Sequence, residues 1–310
     1  MPPTPELAKL SRPRIYRVSP RERLFRLLDE RREHPVVWLS GAPGAGKTVL
    51  VASYLEARKL NAVWYHVDPG DADPATFFYY LGLAGGRFGG KKARALPLFT
   101  DEYRRDLNGF ARRWFRELFA RMPAGSVVVL DNLHEAGGSG EARAAFATGL
   151  EEIPVGVNVI VISRPEPPAE FARLVANQTI VRVGAEELRF TRDEAVRLLG
   201  TDGELAADAL DAVYRRSDGW AAGLILMREH ATRGPAGPED GGLATPEAVF
   251  AYFAGEIVNR IPEENQRVLV LCALPPRITR SAAAASTSEI EMPENATSTL
   301  NTAVVLKDFR

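Results

Sequence analysis

The stretch GAPGAGKT, from Gly41 to Thr48, constrains this chain more than any other part of it. It matches G-x-x-x-x-G-K-[ST], a loop whose glycines let backbone N–H groups curl around phosphates. In that pattern Lys47 reaches the β- and γ-phosphates and the Thr48 hydroxyl ligates magnesium. The surroundings agree with the motif. Val36-Val37-Trp38-Leu39 is a short apolar run that reads as a buried strand. A helix is expected from Lys47, carrying Val49, Leu50, Ala52 and Leu55, and its positive end faces the anion. The loop therefore implies ATP or ADP with magnesium, cradled by Gly41, Ala42, Pro43, Gly44, Ala45, Gly46, Lys47, Thr48 and Val49.

The first part of the chain continues the alternation. Ala62 to Val67 reads as a second strand, Val127 to Leu130 as a third, Val157 to Ile162 as a fourth and Thr179 to Val181 as a short fifth. Continuous Val/Ile/Leu runs of this kind are buried on both faces. Alternation with helices implies a parallel sheet with right-handed crossovers, so the fold class is α/β, a RecA-like P-loop domain. Asp73-Pro74 makes a cap and first-turn pair for a helix through Phe77, Phe78 and Leu81.

Composition shifts near Gly184, and the pattern becomes helical. Thr191 and Glu194 form a capping box before Ala195 to Leu199, and Gly200 suits the helix end. One helix is expected over Leu205, Ala209, Leu210 and Val213, and another after Trp220. Residues 233–242 are a Gly/Pro linker by composition, and Pro246 and Pro262 each open a further helix. The resulting division is an N-terminal arm over 1–20, the P-loop domain over 21–184 and a helical domain over 185–235. A linker over 236–244 and a last domain over 245–310 complete it.

A P-loop fold needs a carboxylate at a neighbouring strand end to hold magnesium, and Asp131, after Val127 to Leu130, stands there. The next position often carries a second acid that polarises the attacking water. Here it is Asn132, which takes no proton, so slow hydrolysis is expected. Glu135 lies close by and is open to two readings, a substitute acid or a solvated loop residue. Arg164 ends the fourth strand, where an arginine reports the γ-phosphate through charge-assisted hydrogen bonds or is simply a surface residue before Pro165. Lys47, Asp131 and Arg164 are thus the catalytic candidates, and Thr48 and Asp131 the magnesium ligands.

Other features read as structural. Tyr103, Leu107, Phe110, Trp114 and Leu118 recur at helical spacing as the core face of one helix. Arg104, Arg105, Arg112, Arg113 and Arg116, with Arg87, Lys91, Lys92 and Arg94, form a basic segment that reads as a solvated face or a nucleic-acid footprint. Loop and cap chemistry accounts for Asp68, Asp71 and Asp73. His34, His66, His134 and His230 show no ligand spacing, and none is assigned a metal. The formal net charge of −1 gives no global pull toward nucleic acid or membrane. A single cysteine, Cys272, excludes an internal disulfide framework and fits a reducing cytoplasm. The N-terminus lacks the apolar core of a signal peptide, and no apolar run is long enough to span a bilayer.

The blocks VVWLSGAPGAGKTVLVASYL, VWYHVDPGDADPATFFYYL, VVVLDNLHEA, VNVIVISRPEPP, ELRFTRDEAVRLL and SDGWAAGL follow one another in this order. Over roughly residues 10 to 275 the series resembles the STAND signal-transduction ATPases. It is most like the branch typified by the maltose-regulon activator and related large LuxR-type bacterial transcription regulators. The P-loop is generic; the last three blocks, in that order and spacing, are more specific. The resemblance implies a nucleotide-binding domain, a helical lid and a winged-helix domain, and a resting ADP form that opens with inducer and ATP and then self-associates. It implies that Arg164 senses the γ-phosphate, that Val18 to Glu22 borders the adenine, and that Trp220 and its neighbours close over the nucleotide. Two residues depart from the pattern. Asn132 replaces the second acid, and Ala221 stands where relatives often carry proline, which puts the lid's adenine contact in question. Members continue into sensor repeats and often a DNA-binding helix-turn-helix. This chain stops at Arg310 and reads as a fragment or truncated member, so inducer and DNA recognition come from the resemblance alone.

Three functions remain distinguishable. A regulatory switch would bind ADP tightly and turn over slowly. A working ATPase or kinase would show fast turnover or an acceptor signature; Arg192 and Arg197 resemble lid arginines, but no acceptor signature is visible. A nucleic-acid binder using the basic segment would show a steep salt dependence.

Overall fold

The computed structural model describes residues 7–16, 18–88, 95–137, 139–200 and 207–233. The chain divides between Arg189 and Phe190 into two compact units.

The first unit is built on five short strands: β1 (Val36–Ser40), β2 (Ala62–His66), β3 (Val127–Asp131), β4 (Asn158–Ser163) and β5 (Ile180–Val183). They lie in the order β2-β3-β4-β1-β5, and every pairing is parallel. The five strands expected from the apolar runs are all present. The fifth is displaced toward Val183, because pairing with β1 fixes its register from Val36↔Ile180 to Leu39↔Val183.

Side-chain alternation splits the sheet into two buried layers. On one face Trp38, Tyr65, Val128, Leu130, Val159 and Val161 pack under α3 (Pro74–Gly85), α4 (Leu107–Phe119) and α5 (Gly140–Leu150). On the other, Val37, Leu39, Trp64, Val129, Ile160 and Ile162 pack under α1 (Glu22–Arg31) and α2 (Lys47–Ala57). Each such side chain, fully buried, contributes roughly 1.5–3 kcal/mol. β1, β3 and β4 are buried along their whole length, which explains why their sequences do not alternate.

Local signals set the element boundaries. The Asp73 carboxylate accepts from the Thr76 backbone N–H, with Pro74 at the first position of α3. Asp68 accepts from Gly70 N–H, and Asp71 accepts from Asp68 N–H. The aromatic spacing from Tyr103 to Leu118 predicts one helix, but the chain forms two pieces. A 3-10 turn covers Asp101–Asp106, and α4 starts at Leu107, where Asp106 caps Gly109 N–H. Tyr103 still packs against the same core. Four arginines of this segment are engaged: Arg104 pairs with Asp101, Arg112 and Arg116 pair with Glu152, and Arg113 lies over the rings of Tyr103 and Phe110.

Two further helices complete the unit, α6 (Ala172–Ala176) and α7 (Ala185–Leu188), so its last helix lies beyond the composition shift at Gly184. Arg21, 6% exposed, donates to the carbonyls of Leu188 (2.9 Å) and Arg189 (2.7 Å). Arg23 donates to the carbonyls of Glu187 and Arg189. The last turn of the unit is thus held by the start of α1.

The second unit contains α8 (Arg192–Leu199), α9 (Ala207–Ser217) and α10 (Ala221–Arg233). Its core gathers Phe190, Ala195, Leu199, Leu210, Val213 and Leu224. The Thr191–Glu194 capping box is formed in both directions. The expected linker over 236–244, the winged-helix domain over 245–310 with its helices at Pro246 and Pro262, and Lys91, Lys92 and Arg94 lie outside the described residues. No helix among the described residues is long and apolar enough to cross a membrane.

Candidate functional site

In a parallel sheet all strands end on one edge, and loops leaving that edge converge. Four of these ends carry the polar residues of interest: Ser40 on β1, His66 on β2, Asp131 on β3 and Ser163 on β4.

The loop after β1 turns through left-handed backbone at Gly44 (φ 71°) and Gly46 (φ 81°), a region that L side chains avoid. Gly46 is the residue before α2, so the turn delivers Lys47 and Thr48 at the positive end of that helix. Gly41 N–H donates to the Arg164 carbonyl at 3.1 Å, which ties the loop's first residue to the end of β4. Val49 is exposed on the first turn of α2.

Lys47 is buried, and its ammonium donates to the loop carbonyls of Gly41 (2.5 Å) and Ala42 (2.9 Å). Burial, then the charge of Arg164, push its pKa down to about 8, against the opposing pull of Asp131. Thr48 Oγ1 donates to Asp131 Oδ1 at 3.0 Å, joining α2 to β3. Asp131 is 1% exposed. A buried carboxylate and a hydroxyl in contact are hard oxygen donors of the kind magnesium takes alongside substrate phosphates, so the residues fit that ion.

Asn132 adopts left-handed backbone, φ 61°. Asn tolerates that region where a β-branched or bulky residue does not. The position at which a second acid is sought in the sequence is here the pivot of a turn, and the chain then enters a 3-10 segment, Leu133–Ala136. That segment brings Glu135 to the site. Glu135 Oε1 lies 3.7 Å from the Arg164 guanidinium and 3.4 Å from His134 Nε2.

Lys47, Thr48, Asp131 and Arg164 are therefore brought together. Val18 lies half-buried, outside any helix or strand, shortly before Arg21. Trp220 lies in the second unit, immediately before α10. His66 is a residue that sequence reasoning passed over. Its Nδ1 lies 3.6 Å from Asp131 Oδ2, and that carboxylate holds the imidazole above its usual pKa of 6.5 despite partial burial. The signal was its place at a strand end, but its partner follows only from the register His66↔Asp131.

No family model matches the chain. The HTH-type transcriptional regulator MalT of Vibrio cholerae is 27% identical over 277 residues, which cover 86% of this chain and 30% of the relative. MalT of Vibrio parahaemolyticus is 28% identical over 232 residues, covering 71% of this chain and 24% of that protein. The chain is similar to the STAND-like nucleotide-binding region of MalT-type regulators. It spans about 30% of the length of MalT from Vibrio cholerae. Among solved structures, the Walker-type ATPase PABY2304 of Pyrococcus abyssi matches with a TM-score of 0.56 and 18% identity, over 92% of this chain and 89% of that one. This likeness bears on the fold, and it accords with the RecA-like reading of the parallel sheet.

Proposed function

We propose that this chain is the nucleotide-binding switch of a transcription regulator, binding ADP and ATP with magnesium and hydrolysing ATP slowly. The observation that carries the reading is the convergence of the P-loop with Asp131 and with the Arg164–Glu135 pair at one edge of the sheet. Lys47 would exchange its two loop carbonyls for phosphate oxygens, a stronger, charge-assisted partnership. Thr48 and Asp131 would hold magnesium, which when bound neutralises charge on the β- and γ-phosphates. Arg164 would leave Glu135 for the γ-phosphate, so ATP and ADP would select different arrangements of this pair. With Asn132 in place of an acid, Glu135 is proposed to orient the attacking water, and turnover is slow. Val18 and Trp220 are proposed to border the adenine. The helical second unit is proposed as a lid, opening of which permits self-association in the cytoplasm. Inducer and DNA contacts are assigned to no residue of this chain.

The test is calorimetry with ADP and ATP in the presence of magnesium, with phosphate release followed over hours. Tight ADP binding with turnover well below about one per second supports the switch. Rapid multiple turnover without a partner would instead make the chain a working ATPase.

A further inference from the structure

The same sheet edge also opens on a second space. A cavity of about 270 Å³ lies between Trp38 of β1, Ser163 at the end of β4, the 3-10 segments that follow β2 and β3, and the helices α3 and α5. Its walls are mainly apolar and include the rings of Trp38, Phe77, Phe78, Phe146 and Phe171. The charged groups that reach it are already neutralised. The Asp71 carboxylate, 0% exposed, holds Lys9 at 2.8 Å and accepts from the Tyr65 hydroxyl at 2.6 Å. Arg143 pairs with Glu170 at 2.8 Å and donates to the Gly137 carbonyl at 3.1 Å. An ionic occupant would find no spare counter-charge in either pair and would lose its hydration, a heavy cost in an apolar site. Ser163, 1% exposed and lining the cavity, offers a hydroxyl for one hydrogen bond. An apolar cavity of roughly 150 Å³ already admits benzene, so this space suits a substituted single ring.

Two segments serve both this cavity and the candidate nucleotide site. The 3-10 segment after Asp131 lines the cavity with Leu133, His134 and Ala136 and carries Glu135 on the nucleotide side. Ser163 faces the cavity, and the next residue, Arg164, is bonded through its carbonyl to Gly41 and stands beside Glu135. We infer that the cavity is a binding site for a neutral, single-ring molecule bearing one hydrogen-bonding group, and that its occupancy is coupled to the bound nucleotide. The binding claim stands on the cavity itself; the coupling rests on the function proposed above. Coupling of this kind is reciprocal, each ligand changing the other's affinity by one factor.

The probe is 4-fluorophenol, titrated into the full chain and followed by fluorine NMR, with the tryptophan indole N–H signals read in parallel. Saturable binding at about 1 mM or tighter is expected for a ligand of this size. The Trp38 indole signal should move with it, and that of Trp220 should not. Ala145→Leu, which projects into the cavity from α5, should weaken binding at least tenfold; Ala142→Leu serves if the first variant fails to fold. Linear, non-saturating changes, or saturation that leaves Trp38 unmoved, would overturn the site. ADP with magnesium should change the probe's affinity at least threefold, and an unchanged affinity with ADP bound would refute the coupling. Failure of ADP to bind would refute the nucleotide switch and the coupling with it, while the probe titration alone still decides the cavity.

Discussion

At the scale of single residues, Lys47 is the most informative group. It is desolvated, its ammonium bonds to two carbonyls of its own loop, and the proposed function has it exchange them for an anion. Lys47→Ala should abolish nucleotide binding by calorimetry while the thermal melt stays close to that of the parent, because it removes a buried charge rather than a packing contact. Arg164→Ala should act differently. It should leave ADP affinity within about twofold and weaken ATP about tenfold or more, the size of one charge-assisted hydrogen bond. The strand-end places of Asp131 and Arg164 are legible in the sequence, since Asp131 directly follows a recognisable apolar run and Arg164 follows another after Ser163 alone. His66 is not, because its neighbour is set by strand order, and strand order is a property of the sheet and not of the run. Asn132 is half legible: its chemistry reads as a missing acid, whereas its conformational role shows only in the backbone angle.

At the scale of elements, the P-loop turn and the Lys9 tether carry separate predictions. Gly46→Ala would force a side chain into left-handed backbone at the start of α2, costing roughly 1–2 kcal/mol and displacing the N–H groups meant for phosphate. A lowered melting temperature together with lost ADP binding would be the expected pair of readings. Lys9 reaches from the N-terminal arm to Asp68 and Asp71, beside the rings of Tyr65 and Tyr80. Lys9→Met leaves the buried Asp71 carboxylate without its cation and should cost about 1–3 kcal/mol near neutral pH. Its pH dependence has a definite sign. Lys9 holds the Asp68 pKa below 3.8, so that contribution is whole above that value and fades as pH falls through the folded one. For Lys9 itself burial acts to lower the pKa, but its hydrogen bonds to Asp68 and Asp71 outweigh it and raise the value above 10.5. Its contribution is whole below 10.5 and is lost only as pH rises through the folded value. The melting difference between the two proteins should therefore be flat from about pH 5 to 9 and shrink below about pH 4. The strands and caps were readable because each rests on a local pattern. The break between Tyr103 and Leu107 was not, because aromatic spacing records which residues face the core and does not record where a helix is interrupted.

At the scale of the whole chain, the proposed switch makes a kinetic claim: the same protein should bind ADP tightly and release phosphate over many minutes. Asn132→Glu should not restore fast turnover, since a longer side chain at a left-handed pivot disturbs the turn that carries Glu135. A large gain in phosphate release in that variant would argue that the pivot is irrelevant and the acid alone is missing. A larger consequence follows from the direction of the strands. Because all five run the same way, the candidate site gathers at one edge of the sheet and the opposite edge has a different part to play. At the quiet edge Asn158 donates to the carbonyls of Arg32 and His34 and accepts from Arg32, joining loops and nothing else. In a library of every single substitution, the two ends of one strand should then fall into different phenotypic classes. Changes at Asn158 should lower cellular abundance, and changes at Arg164, just beyond the other end of the strand and partly exposed, should spare abundance and alter ligand occupancy. The polarity of the backbone would thus appear as a polarity in mutational tolerance.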